Sequence, residues 1–218
     1  MKLFKIATAT LLMAFSGLSI LCSCRQGEFT PQEGDLLFCV SDTSALSQAI
    51  TAATQREGDI QYDHVALYAE VDGVPSVIEA TARKGVRVTD WEHFITKTPK
   101  VNGKPGVDVM RIKEDIDIQA AIDRALSFKG QAYDWAFLPS NGKMYCSELI
   151  YESFRREDGT PLFSLNPMSF RDKDGNIPTF WVEIFKQLGT EIPDGQPGTN
   201  PNTMAAEPVL SLVHRYFD

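Results

Sequence analysis

The sequence predicts an α+β domain in which an antiparallel sheet packs against helices. Three observations lead there. Two strand-like runs flank Asp72-Gly73, a pair that favours a tight hairpin turn. Strand-like runs dominate the first half, and the best-bounded helical stripes follow them, an order expected of α+β proteins. The chain has 218 residues, 43% hydrophobic and 23% charged, enough apolar material for a core that does not depend on disulfides.

Taken in order, Gly34 to Val40 is an apolar run of strand length. Residues 43–55 place Leu46, Ala49, Ile50 and Ala53 at helical spacing. His64–Val71 and Ser76–Thr81 are the two arms of the hairpin, and Val86–Thr89 continues as a third strand before a short segment over Trp91–Ile95. Residues 97–106 read as a loop, and Val107–Ile112 as a further strand. An acidic start at Glu114-Asp115, a stripe of Ile118, Ala121, Ile122 and Ala125, and an ending at Lys129-Gly130 bound a helix. Residues 145–157 carry Cys146, Leu149, Ile150, Ser153 and Phe154 on one helical face, and a last helix spans about Thr179 to Leu188. Residues 189–208, rich in Gly, Pro, Asn and Thr, read as a long loop before an apolar terminus, VLSLVHRYF.

The N-terminus is organised differently. Lys2 and Lys5 precede an apolar run from about Ile6 to Leu21 with many small residues, the pattern of a secretory signal. Leu21-Cys22-Ser23-Cys24 resembles a bacterial lipobox, which makes residues 1–23 a signal peptide, Cys24 a lipidated N-terminus and residues 24–33 a tether. The expected product is an exported, membrane-anchored lipoprotein whose folded part spans residues 34–189, with residues 190–218 as loop and C-terminal segment. Removing the signal lowers the basic count from 21 to 19 against 29 acidic residues and moves the net charge from −8 to −10. Such a surface disfavours nucleic acid.

Two cysteines remain, Cys39 and Cys146. A pair in an exported protein suggests a disulfide. The alternative makes Cys39, inside an apolar strand, a buried core residue and gives Cys146 separate work. The residues favour the second reading. His64, Ala66 and Tyr68 share one face of the first hairpin arm; Val77, Glu79 and Thr81 share one face of the second. A two-residue Asp72-Gly73 turn pairs Val71 with Val74 and makes His64 and Glu79 diagonal neighbours on one face, within reach of each other. A slip of one residue would put them on opposite faces. Cys146 opens a helix, where unpaired N–H groups and the dipole suit an anionic nucleophile and can serve an oxyanion. An imidazole beside the thiol, with a carboxylate on its other nitrogen, is the general logic of a catalytic triad. His93 and His214 are isolated, and no spacing of the HExxH or CxxC type occurs, so neither a metal site nor a cofactor is expected.

These residues also resemble a known family. Gly34-Asp35-Leu36-Leu37-Phe38, Asp63-His64-Val65-Ala66-Leu67-Tyr68, Val77-Ile78-Glu79-Ala80, Gly85-Val86, Tyr133-Asp134 and Tyr145-Cys146-Ser147-Glu148-Leu149-Ile150 are similar, in order, to motifs of the permuted papain-like cysteine hydrolases, YiiX-type relatives of the NlpC cell-wall peptidases. His and Glu precede Cys, the mark of circular permutation. The resemblance implies a papain-like α+β fold with Cys146 as nucleophile, His64 as general base and then acid, and Glu79 as the residue orienting His64. It implies hydrolysis of an amide or peptide bond, with peptidoglycan stem peptides as substrate. Two alternatives stand beside it: a deacylase or acyltransferase acting on lipids or acyl amides, and a non-catalytic lipoprotein that binds wall peptides.

Overall fold

The computed structural model describes residues 29–55 and 58–218; the predicted signal segment and Cys24 lie outside the described residues. In chain order the elements are β1 (Leu36–Val40), α1 (Ala45–Ala53), β2 (Tyr62–Val71), β3 (Val74–Thr81), β4 (Gly85–Asp90), α2 (Trp91–Lys97), β5 (Lys100–Val101), β6 (Lys104–Pro105), β7 (Val107–Ile112), α3 (Ile118–Ser127), α4 (Cys146–Ser153), β8 (Asn166–Pro167), α5 (Thr179–Leu188), β9 (Pro197–Gly198), α6 (Pro201–Ala205) and β10 (Leu210–Arg215). Six of the strands form one antiparallel sheet in the order β10-β7-β1-β2-β3-β4.

The hairpin forms in the predicted register, from Val71 opposite Val74 to Leu67 opposite Ile78. Asp72 and Gly73 take φ of 54° and 76°, the left-handed pair that a two-residue turn requires for its twist to match the strands. At the other end β2 carries an irregularity. Cys39 pairs with His64 but Val40 pairs with Tyr62, so Asp63 is an extra residue, a β-bulge. The consequence appears in the packing. Val65, Leu67 and Ala69 belong to the larger core, and so does Tyr62, although strict alternation would send it to the opposite face.

The sheet buries both faces. On one, α1, α3, α4, α5 and α6 contribute Ile50, Ile122, Leu149, Phe185 and Met204 to a core shared with Leu36, Phe38 and Ile78. On the other, Phe94 of α2 packs with Leu37, Cys39, Ala66, Tyr68, Val77, Val107 and Val109. Each fully buried aliphatic or aromatic side chain contributes roughly 1.5–3 kcal/mol against exposure. This two-sided burial explains why β1 reads as a continuous apolar run rather than an alternating one.

The C-terminal segment differs from the expected loop. Within residues 189–208, β9 pairs with β8 and α6 packs near β2 and α4, while the apolar terminus becomes the edge strand β10 on β7. Cys39 and Cys146 are both free thiols, so no disulfide joins them. Burial pushes the Cys39 thiol up to about 12, which leaves it an inert core residue.

Candidate active site

Glu79 projects from β3 toward the α2 side of the sheet and is only 4% exposed. A buried carboxylate is costly unless its lone pairs are satisfied, and here they are. Oε2 meets His64 Nε2 at 3.0 Å; Oε1 accepts from Arg87 Nε at 3.0 Å and from Thr89 Oγ1 at 2.6 Å. The β3–β4 ladder puts Arg87 directly opposite Glu79 and Thr89 opposite Val77, so both donors arrive from the neighbouring strand on the same face. Burial alone would raise the Glu79 pKa. The His64 bond and charge, the Thr89 hydroxyl and the Arg87 guanidinium outweigh it and hold the carboxyl at about 2.

His64 is partly buried and lies just after the bulged Asp63. Burial opposes a charge on its ring. Hydrogen bonds to the Cys146 thiol and to Glu79 reverse that balance and raise its pKa well above the ordinary value. Because Glu79 occupies Nε2, Nδ1 is the nitrogen left for the thiol. Asp63, in contrast, has its pKa raised by burial, against the Ser47 hydrogen bond and the His64 charge.

Cys146 is the first residue of α4, with Tyr145 extended at the N-cap. Its Sγ lies 4.0 Å from the carbonyl oxygen of Asp63. The helix packs on the sheet face opposite α2, whereas Glu79 points to the α2 side, and the two halves meet at the bulged end of β2. The structure therefore brings together all three predicted site residues, His64, Glu79 and Cys146, from three elements. The first-turn N–H groups of α4 have no acceptor within the helix by construction, which leaves them available to a developing oxyanion.

Arg87, Thr89 and the bulge at Asp63 extend the predicted site. A signal for the first two exists: Arg87 and Thr89 alternate with Val86 and Val88, marking a polar face on β4 that matches the Glu79 face of β3. Tyr133-Asp134 also finds a place. Asp134 is fully buried and accepts from the N–H groups of Ala136 and Leu138 at 2.9 and 2.7 Å, folding the loop that carries Phe137, and Tyr133 stands beside Cys146.

Two cavities adjoin the site. A cleft of about 300 Å³ is lined by His64, Glu79, Asp42, Asp63, Arg87 and Lys97 among others. A slot of about 30 Å³ is lined by Cys146 and a group of aromatic side chains. Among the described residues no three His, Cys, Asp or Glu side chains are grouped to hold a metal ion.

Comparison with known proteins now decides the family. The sequence model of the permuted papain-like amidase enzymes, YaeF/YiiX, C92 family, matches residues 30–214. The chain belongs to the permuted papain-like amidases. It is a cysteine hydrolase of amidase type, as the family is. It is similar to the uncharacterized protein YiiX of Escherichia coli strain K12, 25% identical over 200 residues that cover 90% of this chain and 92% of that protein. Its fold matches a crystal structure described as the metalloprotein YiiX of Escherichia coli O157:H7, with a TM-score of 0.68 and 24% identity over 87% of this chain and 100% of the other.

Proposed function

We propose that this amidase cleaves its substrate through an acyl-enzyme on Cys146. The observation that carries the reading is Glu79, a buried carboxylate fully occupied by His64, Arg87 and Thr89, which fixes the imidazole with one nitrogen turned to the thiol. His64 takes the thiol proton as Sγ bonds the carbonyl carbon. It returns that proton to the leaving amine nitrogen as the C–N bond breaks. Water, deprotonated by the same imidazole, then resolves the thioester to a carboxylic acid. Glu79 is the positioning residue, stabilising the imidazolium without itself taking the proton.

The substrate in this reading is an amide of the cell wall, a peptidoglycan stem peptide, met by a chain exported and anchored to the membrane through lipid on Cys24. A second reading takes the acyl half as the hydrocarbon chain of a lipid amide; the lining beside Cys146 is apolar as that requires, but its space of about 30 Å³ is small for such a chain. A hydrolysis panel of muropeptides, short acyl amides and long acyl amides tests both, with amine release measured for the wild type and for Cys146→Ala. Wild-type release that vanishes in Cys146→Ala is expected. Equal release by the two proteins, or none from any amide, would reject the proposal. Labelled lipid precursor tests the anchor, since lipid must appear at Cys24.

A further inference from the structure

The two cavities adjoin different members of the reacting pair, and they differ in size and chemistry. His64 lines the larger one and not the smaller; Cys146 lines the smaller and not the larger; Ile50 and Tyr133 line both and form the divide. The division follows from the fold. His64 and Glu79 reach the site from the α2 face of the sheet, Cys146 from the opposite face, and the bulge at Asp63 is the seam.

This has a chemical meaning that rests on the acyl-enzyme reading. In an amide the carbonyl carbon bonds to sulfur, and the leaving nitrogen must lie beside the imidazole that protonates it. The acyl half therefore extends from Cys146 and the amine half extends past His64. We infer that the slot is the acyl subsite and that it accepts only a small apolar acyl group, of alanyl or acetyl size, while the charged cleft takes the amine half. The slot thus selects against the long hydrocarbon chain of a lipid amide.

Size and stiffness carry the second part. The space of about 30 Å³ suits a group of a few heavy atoms, since one water-sized group needs roughly 10–15 Å³. Its walls do not yield easily. Phe137 contacts Tyr145, Phe170 and Trp181 with ring centroids 5.2, 5.9 and 5.5 Å apart, and Phe170 contacts Trp181 at 5.2 Å. Phe137, Phe170 and Trp181 are almost fully buried. The outer wall is Met168, held by the C-terminal segment: a Cβ on Gly198 would stand 1.9 Å from Met168 Sδ, so Gly198 sits flat against the thioether. Thr199 ties that segment to the nucleophile helix, its N–H donating to Tyr145 Oη at 3.1 Å and its hydroxyl to Ser147 Oγ at 2.9 Å.

The test keeps the leaving group constant and varies only the acyl chain. p-Nitrophenyl acetate and p-nitrophenyl octanoate are offered to the full chain, and the release of nitrophenolate and the intact mass are followed. Sγ bonds the ester carbonyl carbon, the C–O bond breaks, nitrophenolate leaves and the thiol proton passes to His64. Each rate is divided by that of free cysteine with the same ester. Acetate is expected to acylate Cys146 at least roughly tenfold faster than octanoate on this scale. Met168→Ala should raise the octanoate-to-acetate ratio by removing the outer wall. Octanoate rates equal to or above acetate in the wild type would overturn the inference, and the wild-type comparison decides even if the variant does not fold. Length discrimination on Cys146 without hydrolysis of any amide would sink the amidase reading but leave the slot assigned. Acylation elsewhere than Cys146 would overturn both.

Discussion

At the scale of single residues, Glu79 shows how a sheet can prepare a thiol it does not touch. Its carboxyl is held at about 2 by partners on two strands, one of them the Arg87 guanidinium. Removing that charge in Arg87→Met should raise the Glu79 pKa and so move the acid limb of the pH profile for kcat/KM upward. An unmoved limb would mean that Arg87 has no hold on the carboxylate. Glu79→Gln should cost on the order of 10²-fold in kcat, less than Cys146→Ala, because it loosens the hold on the His64 imidazole, itself a general acid–base group of the kind that contributes roughly 10²–10⁴-fold, without removing it. Cys39, with its thiol pushed to about 12 by burial, should alkylate far more slowly than Cys146 with iodoacetamide; equal labelling would argue against an activated nucleophile. The His64–Glu79 pairing was legible in the sequence because a two-residue turn fixes register by arithmetic. Alternation marks Arg87 as polar-facing, but its pairing with Glu79 was not legible, because β3 and β4 are joined by three residues, Ala82, Arg83 and Lys84, ending at Gly85 with φ 63°. That turn carries a weaker signal than Asp-Gly.

At the scale of elements, helix α4, which opens with Cys146, is stabilised at its start by a carboxyl that prefers to be neutral. Glu148 accepts from the Tyr145 N–H at 3.3 Å, and burial raises its pKa from 4.5 to about 8. A raised folded-state pKa means that the folded chain binds the proton more tightly than the unfolded one. The resulting stability is complete below about 4.5 and is lost as pH rises toward 8. Thermal unfolding should therefore show Tm falling across this window in the wild type and falling less in Glu148→Gln. Parallel curves would contradict the assignment. A second element, α6, places the fully buried Asn202 so that Oδ1 accepts from the Tyr62 N–H at 2.8 Å and Nδ2 donates to Thr54 Oγ1 at 3.1 Å. Asn202→Ala removes an acceptor beside the bulge that aims His64, and should cost about 1–3 kcal/mol in denaturant unfolding. Neither α6 nor the bulge was legible. A five-residue helix has no periodicity to read, and a bulge depends on which strand lies alongside.

The whole molecule explains how His64, Glu79 and Cys146 meet although they lie so far apart in the chain. His64 and Glu79 come from a hairpin built before residue 82, Cys146 from a helix that packs on the other face, and the segment after residue 190 bonds to both, through Thr199 to Tyr145 and through Asn202 to Tyr62. The α+β class and the antiparallel hairpin could be read from alternation and turn chemistry. The strand order could not, since β10 reaches β7 and β7 reaches β1 across long connections that local patterns do not encode. The proposed mechanism is tested most directly by intact-mass spectrometry of the protein quenched during amide turnover. It predicts one added acyl group, mapped to Cys146, and no adduct or turnover in Cys146→Ala. Turnover that survives in Cys146→Ala, or an acyl group carried on any other residue, would contradict it.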